Sequence, residues 1–522
     1  MTKTNYPALL GTLAITAGLL GGGAWYINKT APNLLGRGGT SSQQTGVMPR
    51  NATQITLLGD TFSGYSTFRN EAFQTVLADT GLTLTYGDEF DQTARAEALN
   101  QGNADIIVTT LDRYVQQQPQ GKIVGLIDRT IGADAVVLNT LKYPELTSLL
   151  ELEPLLQEAQ SQGQPLKIAF AGDTPSEYLA LVLDTKFDAF NLTDFEIVRV
   201  ADASEAWSLM QDPQENVAIA VLWEPFVTQA RQQGYTVVLS SNDAPNSIVD
   251  VIVASDQLVQ SRPEVINTFL NNYYRRIDAN VRDASQLQAQ IAEDGALSPA
   301  DAGAVLQGID FFTAAEAQAW MTDGTLQRRI EAIAAVLVLS GRINDLPSSP
   351  ETLFTGAHLQ EAAQNTQTLI ELVRSDNPDL AERLAGSTEQ TLVVPQVTAA
   401  EVQAAPDIGN LNVQGQVEFG TGSAQLTAAG QQTLQGLTQE IQEFNPETVA
   451  VRVIGHTSRT GSADLNQQLS QERAQVVVDY LRSQGLQHNI VAEGKGFYLP
   501  LSGVDPADPQ QQRTEIRLVR VN

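Results

Sequence analysis

The run Gly455-His456-Thr457-Ser458-Arg459-Thr460-Gly461-Ser462, followed by Asn466, Ser470 and Arg473, puts together residue types that can hold an acid group. Val449, Val451 and Val453 alternate like a half-buried strand, and helical sequence runs from about Ala463 to Gln484. A glycine-rich turn therefore feeds a helix N-terminus, whose unpaired N–H groups receive carboxylates readily. Asn466, Ser470 and Arg473 stand at i, i+4 and i+7 and share one face of that helix. The apolar stripe reads Leu465, Leu469, Val476, Val477 and Tyr480, with Arg473 on its edge. An arginine so placed ordinarily packs its stem and pairs with a surface acid. The sharper reading is a permanently charged, planar fork for a ligand carboxylate.

A second group of polar residues lies between strand and helix patterns. Ser63 and Tyr65, Thr109 and Thr110, and Thr174 and Ser176 all sit where a strand gives way to a helix. Each pair alone is best explained as N-capping. Together they outline a cleft for a small anion or polar solute, with Trp223 and Glu224 as its wall. Glu224 disfavours a fully anionic solute unless it points away. No Ser-x-x-Lys, His-Glu-x-x-His or Gly-x-Ser-x-Gly arrangement is present, so no catalytic residue is assigned and the chain is read as non-enzymatic. There is no cysteine, and the three histidines (His358, His456, His488) are far apart, so neither a metal site nor a cofactor is expected.

These residues need several elements to position them. With 522 residues the chain exceeds one ordinary core. Residues 53–345 alternate strand and helix patterns and then turn helical from Pro263. Residues 346–408 hold one helical stretch, Leu359 to Val373, and a linker-like run from Pro395 to Asp407. Residues 409–522 read as a separate unit: a strand around Val413 to Phe419, a helix from Thr427, then strand, helix and two strands. A formal net charge of −29 repels nucleic acid and anionic membrane surfaces. Within residues 1–28 the stretch Pro7 to Ile27 is apolar and ends near Trp25-Tyr26. About 20 such residues span a bilayer core, and bulky aromatics directly after Ala24 argue for a retained anchor over a cleaved signal. Residues 29–52 read as a Gly/Ser/Gln linker.

The C-terminal pattern resembles the OmpA-like peptidoglycan-binding family. The matching residues are Phe419 with Leu426, the Gly-His-Thr run, Asn466, Leu469-Ser470, Arg473-Ala474, Gly494 and Gly496, Pro500, and Arg513-x-Glu515-Ile516. The resemblance implies a βαβαββ fold that binds the diaminopimelate of the cell-wall stem peptide. Arg473 would pair with the ligand carboxylate, and His456, Thr457, Ser458, Asn466 and Leu469 would line the pocket. Where the family usually carries an aspartate that meets the ligand ammonium, this chain has Ser458, which removes a charge-assisted hydrogen bond. The family's terminal Asn-Arg-Arg reads Gln511-Gln512-Arg513.

Residues 53–345 resemble the periplasmic solute-binding proteins of nitrate, sulfonate and taurine importers. The segments are Phe62–Tyr65, Ala104–Asp112, Gly132–Ala135, Val221–Pro225 and Ile248–Val251. The resemblance implies a two-lobed, type II α/β fold, with lobe one at about 53–138 and 245–345 and lobe two at about 142–240. It also implies importer membrane subunits as partners. The expectation is a periplasmic protein, anchored in the inner membrane, that binds a small solute, an oxyanion among the candidates, and attaches to peptidoglycan. The alternative is an envelope linker or docking platform whose solute cleft is unused.

Overall fold

Ile106–Thr110 and Val249–Ser255 are buried at every position, the signature of strands covered on both faces by helices. They lie in a computed structural model that describes residues 53–386, 394–413 and 416–521. The expected anchor Pro7–Ile27 and the linker after it fall outside these residues. Among the described residues no helix is long and apolar enough to cross a membrane. The chain divides into two units, Met1–Arg129 with Ile248–Ser387, and Thr130–Ser247 with Thr388–Asn522.

Strands β1 (Thr53–Gly59), β2 (Leu82–Asp88), β3 (Ile106–Thr110) and β4 (Gly121–Thr130) come first. The chain then builds β5 (Asp134–Leu138), β6 (Lys167–Ala171), β7 (Glu196–Val200), β8 (Val217–Trp223) and β9 (Thr236–Ser240). It returns for β10 (Val249–Ser255) and β11 (Ile309–Phe311), and ends with β12 (Asp407–Asn410), β13 (Val449–Gly455), β14 (Ile490–Gly494) and β15 (Thr514–Arg520).

The first unit holds a six-stranded sheet in the order β11-β4-β10-β3-β1-β2. β1 runs parallel to β2 and β3, while β10 is antiparallel to β3 and β4. The ends of β1, β3 and β4 and the start of β10 therefore share one sheet edge, where Asp250 stands opposite Thr110. The Pro263–Arg282 helix buries Phe269, Tyr273 and Ile277. Helices Gln360–Val373 and Pro378–Ala385 join the same unit, burying Ile370, Leu380 and Leu384 against Val281 and Ala315. Residues after 345, which sequence alone set outside the body at 53–345, thus pack within the first unit up to Gly386. Their polar surroundings hid a narrow but sufficient apolar stripe.

The second unit opens with a five-stranded sheet, β7-β6-β8-β5-β9. β5 lies here, antiparallel to β8 and β9, although the sequence reading put residues up to 138 in lobe one. Its run Asp134–Leu138 is buried throughout and would suit either sheet, so pattern alone does not place it. The same unit contains a four-stranded sheet, β12-β15-β13-β14. With helices Ala428–Gln442 and Ala463–Ser483 the chain order is βαβαββ, as expected. The first strand is β12, however, and among the described residues of the Val413–Phe419 region Phe419 forms a bridge to Leu426. The run read as a linker holds the helix Ala399–Ala404, whose Val402 packs on Ala450 and Val519. One buried valine in six residues gives no readable period.

Within this unit the βαβαββ part seats on lobe two. Asp188 N donates to the Asn410 carbonyl at 3.0 Å and Asn412 N to the Lys186 carbonyl at 2.8 Å. Phe187 and Phe444 meet edge to face at 6.0 Å. Asn445 Nδ2 donates to the Asn242 carbonyl at 3.0 Å, and Arg520 pairs with Asp243.

Candidate functional site

β13 ends at Gly455, and the backbone of the Ala463–Ser483 helix passes so close that a Cβ there would collide with the Ser470 carbonyl. That approach carries the helix face onto the turn. Gly461 takes φ +89°, a conformation glycine adopts freely, and lets the turn reach its helix. Ser462 then caps the helix, accepting from Leu465 N at 3.3 Å.

The buried face of the helix is Asn466, Ser470, Arg473, Ala474, Val477, Val478 and Leu481. This corrects the stripe read from sequence: Leu465 is 67% exposed, and the polar trio faces inward rather than lying on an edge. Arg473 is 6% exposed. Its Nε donates to the Ser423 carbonyl at 3.0 Å, its Nη1 to Gln512 Oε1 at 3.3 Å, and its guanidinium lies 5.0 Å from the Phe419 ring centroid. Among the described residues it makes no ion pair. Burial pushes its pKa down, with no carboxylate to offset it.

Gln512 extends the network, its Nε2 reaching Ser458 Oγ at 3.4 Å, and Ser458 Oγ lies 3.1 Å from Thr460 Oγ1. Asn466 Nδ2 donates to the carbonyls of Thr460 (2.8 Å) and Ser462 (3.1 Å), holding the turn from inside. Leu469 is half-buried beside them. Thr457 is 4% exposed with its hydroxyl unpartnered, and its N–H donates to the Gly496 carbonyl at 2.8 Å. His456 does not join Arg473. Its Nε2 lies 3.1 Å from Glu515 Oε1, in a cluster with Arg513 and Arg517. Burial works against the Glu515 charge, yet the His456 hydrogen bond and the two guanidiniums hold that carboxyl down at about 2. His456 therefore braces β13 against β15 instead of lining the pocket. Ser423 and Gln512 were not singled out as site residues from sequence, since neither belongs to the helix pattern.

The expected solute residues fall in both units and are mostly engaged locally. In the first unit Ser63 is half-buried and opens a turn ending at Tyr65, whose hydroxyl donates to Asp250 Oδ1. Thr109 donates to Gln92 Oε1 at 2.6 Å, and Thr110 precedes the helix Leu111–Gln117. Beside Tyr65 lie two aspartates, Asp250 and Asp128, to which the sequence reading gave no role. Burial pushes Asp250 up to about 8, against the Tyr65 hydrogen bond. Asp128 is fully buried, neither oxygen has a hydrogen-bond partner, and burial followed by the Asp250 and Asp310 charges drives its pKa far up. The available signal was an aspartate inside each of two apolar strands.

In the second unit Thr174 donates to the Ala171 carbonyl at 2.8 Å, and Ser176 is fully buried in the first turn of the Pro175–Lys186 helix. Trp223 packs partly against the lobe-two core, opposite Asp134 in the ladder. Glu224 accepts from Thr228 N (3.0 Å) and Oγ1 (2.9 Å), a capping role. Burial, then the nearby Glu224 charge, pushes Asp134 up to about 7.

The OmpA family model matches residues 418–514. Those residues are an OmpA-family domain. Outer membrane protein A of Shimwellia blattae is 38% identical over 108 residues, which is 20% of this chain and 44% of that protein. The chain thus spans less than half of that relative's length. The matched residues contain the Arg473 network with β13 and β14, and end at Thr514, the first residue of β15. Among solved structures the periplasmic aliphatic sulphonate binding protein SsuA from Escherichia coli covers 59% of this chain and 99% of its own length, at 15% identity and TM-score 0.44. The desulfurization enzyme DSZB covers 60% and 99%, at 12% identity and TM-score 0.42.

Proposed function

We propose that this chain is a non-enzymatic envelope protein that grips peptidoglycan through its OmpA-family domain and carries a two-lobed solute-binding-type body. The observation that carries this reading is Arg473: a buried guanidinium held by a backbone carbonyl, an amide oxygen and an aromatic face, with no acid paired to it among the described residues. A stem-peptide carboxylate would supply the missing charge and displace only neutral contacts. The Pro7–Ile27 segment would hold the protein at the inner membrane, facing the wall. The test is co-sedimentation of residues 53–522 with purified sacculi. Recovery in the pellet, competed by free diaminopimelate, is expected; protein left in the supernatant would exclude wall binding.

For the two-lobed body, the second reading is a linker or docking platform. It is favoured by Tyr65, Thr109, Thr174 and Glu224 each being bonded to a partner in its own unit. Buried acids in each unit, Asp128 and Asp250 in one and Asp134 in the other, also weigh against a plain oxyanion unless they carry protons. A thermal-shift panel of small anions and polar solutes separates the two. A stabilising hit supports solute capture, and uniform silence supports the platform.

A further inference from the structure

Away from both places, the Pro263–Arg282 and Gln360–Val373 helices of the first unit enclose a groove of about 240 Å³. Asn271, Arg275, Asp278 and Arg282 line it from the first helix and Asn365 from the second. Positions 271, 275, 278 and 282 recur at helical spacing, so one face offers acceptor, cation, acceptor, cation in turn.

The acceptors are short of donors. Asp278 is 7% exposed; its Oδ2 accepts from Thr366 Oγ1 at 2.8 Å, while Oδ1 is buried without a partner. Asn271 Oδ1 is likewise buried and unpartnered. A buried carboxylate oxygen left unpaired is costly, and a cationic donor relieves that cost most. The cations are short of acceptors: among the described residues neither Arg275 nor Arg282 makes a hydrogen bond or ion pair, and both are exposed at the groove mouth. Burial raises Asp278 to about 6, the Thr366 hydrogen bond working the other way, so at neutral pH the carboxylate is still mostly charged.

We propose that this groove binds a small zwitterion, its ammonium on Asp278 Oδ1 and Asn271 Oδ1 and its anionic end on Arg275 or Arg282. A plain anion would leave the buried acceptors unpaired, and a plain amine would leave the guanidiniums unused. The groove's size limits the solute to a few heavy atoms between the two charges. Its residues lie on two packed helices rather than at the strand ends, so the inference stands apart from the envelope reading.

The test is a thermal shift and calorimetric titration of the full chain with β-alanine and O-phosphoethanolamine, against propionate and ethylamine as half-ligands. Either zwitterion is expected to stabilise and bind, the first showing that a carboxylate end suffices and the second that a phosphate is preferred. The half-ligands should bind at least about tenfold more weakly, having lost one charge-assisted contact. Arg275→Gln with Arg282→Gln changes only exposed side chains and should weaken zwitterion binding by about tenfold or more. Asp278→Asn should abolish it, with circular dichroism verifying the fold. Silence from both zwitterions, or equal binding by the double variant, would overturn the proposal.

Discussion

The Arg473 guanidinium and the Phe419 ring are held 5.0 Å apart, cation over aromatic face. The ring faces a charge that burial penalises and that no carboxylate among the described residues neutralises. Aromatic faces attract cations by about 0.5–2 kcal/mol, which orients the group without satisfying it. With Nε fixed on the Ser423 carbonyl, the Gln512 contact at 3.3 Å is the weaker one. An entering acid group would meet a fork already aimed and only one amide to displace.

Arg473→Ala should therefore weaken sacculus binding sharply. Loss of a charge-assisted pair is worth about 1.5–3 kcal/mol, or roughly tenfold to a hundredfold in affinity. Arg473→Lys keeps the charge but loses the planar fork and the Ser423 geometry, so it should rescue only in part. Pelleting assays across sacculus concentration measure both. Wild-type binding by the alanine variant would mean the wall contact lies elsewhere.

Ser458→Asp should strengthen binding by supplying an acceptor for the ligand ammonium. Ser458 is 2% exposed and joined to Arg473 through Gln512, so the new carboxylate would lie in the same network. The competing outcome is an internal ion pair between the introduced carboxylate and Arg473 that blocks the site. Competition by free diaminopimelate decides: a lower inhibitory concentration supports the ammonium role, and a higher one overturns it.

The βαβαββ order and the Arg473 turn were legible because a Gly-rich strand-to-helix turn with polar residues at i, i+4 and i+7 is a local signal. The helix's inward face was misjudged because Leu465 and Leu469 look apolar while Asn466 and Ser470 do not. The close approach at Gly455 admits small polar groups there and leaves Leu465 outside. Long-range facts were not local in the chain at all. Which sheet takes β5, and that Gln360–Val373 packs on Pro263–Arg282, depend on partners over eighty residues away. Asp128 and Asp250 were readable only as acids inside apolar strands, and their raised pKa values follow from burial that the sequence does not display.

Phe187→Ala should loosen the OmpA-family domain from lobe two. Phe187 is 1% exposed, meets Phe444 edge to face and lies against Gly409. Truncating such a ring costs about 3–5 kcal/mol. Because the seat joins two parts of one unit, a second unfolding transition should separate in calorimetry, whereas the wild-type unit melts as one. A single transition with a shift equivalent to less than about 1 kcal/mol, the scale of an ordinary surface change, would show that the contact does not couple them.

A rise in pH from 5 to 8 should weaken the first unit through Asp250. Its folded value of about 8 stands above the ordinary 3.8, so between them the native state holds a proton that the unfolded chain has released. Stability then falls as pH rises, by up to about 1.4 kcal/mol per unit for one such proton. The contribution is complete below the ordinary aspartate value and gone above about 8. Asp128, raised by the same burial, acts in the same direction. Asp250→Asn keeps an acceptor for the Tyr65 hydroxyl but cannot titrate. Denaturant unfolding from pH 5 to pH 8, about the window where this proton is differentially held, should show a shallower decline for the variant than for the wild type. Parallel slopes would mean that Asp250 is ionised in the native protein and that Tyr65 bonds a charged carboxylate.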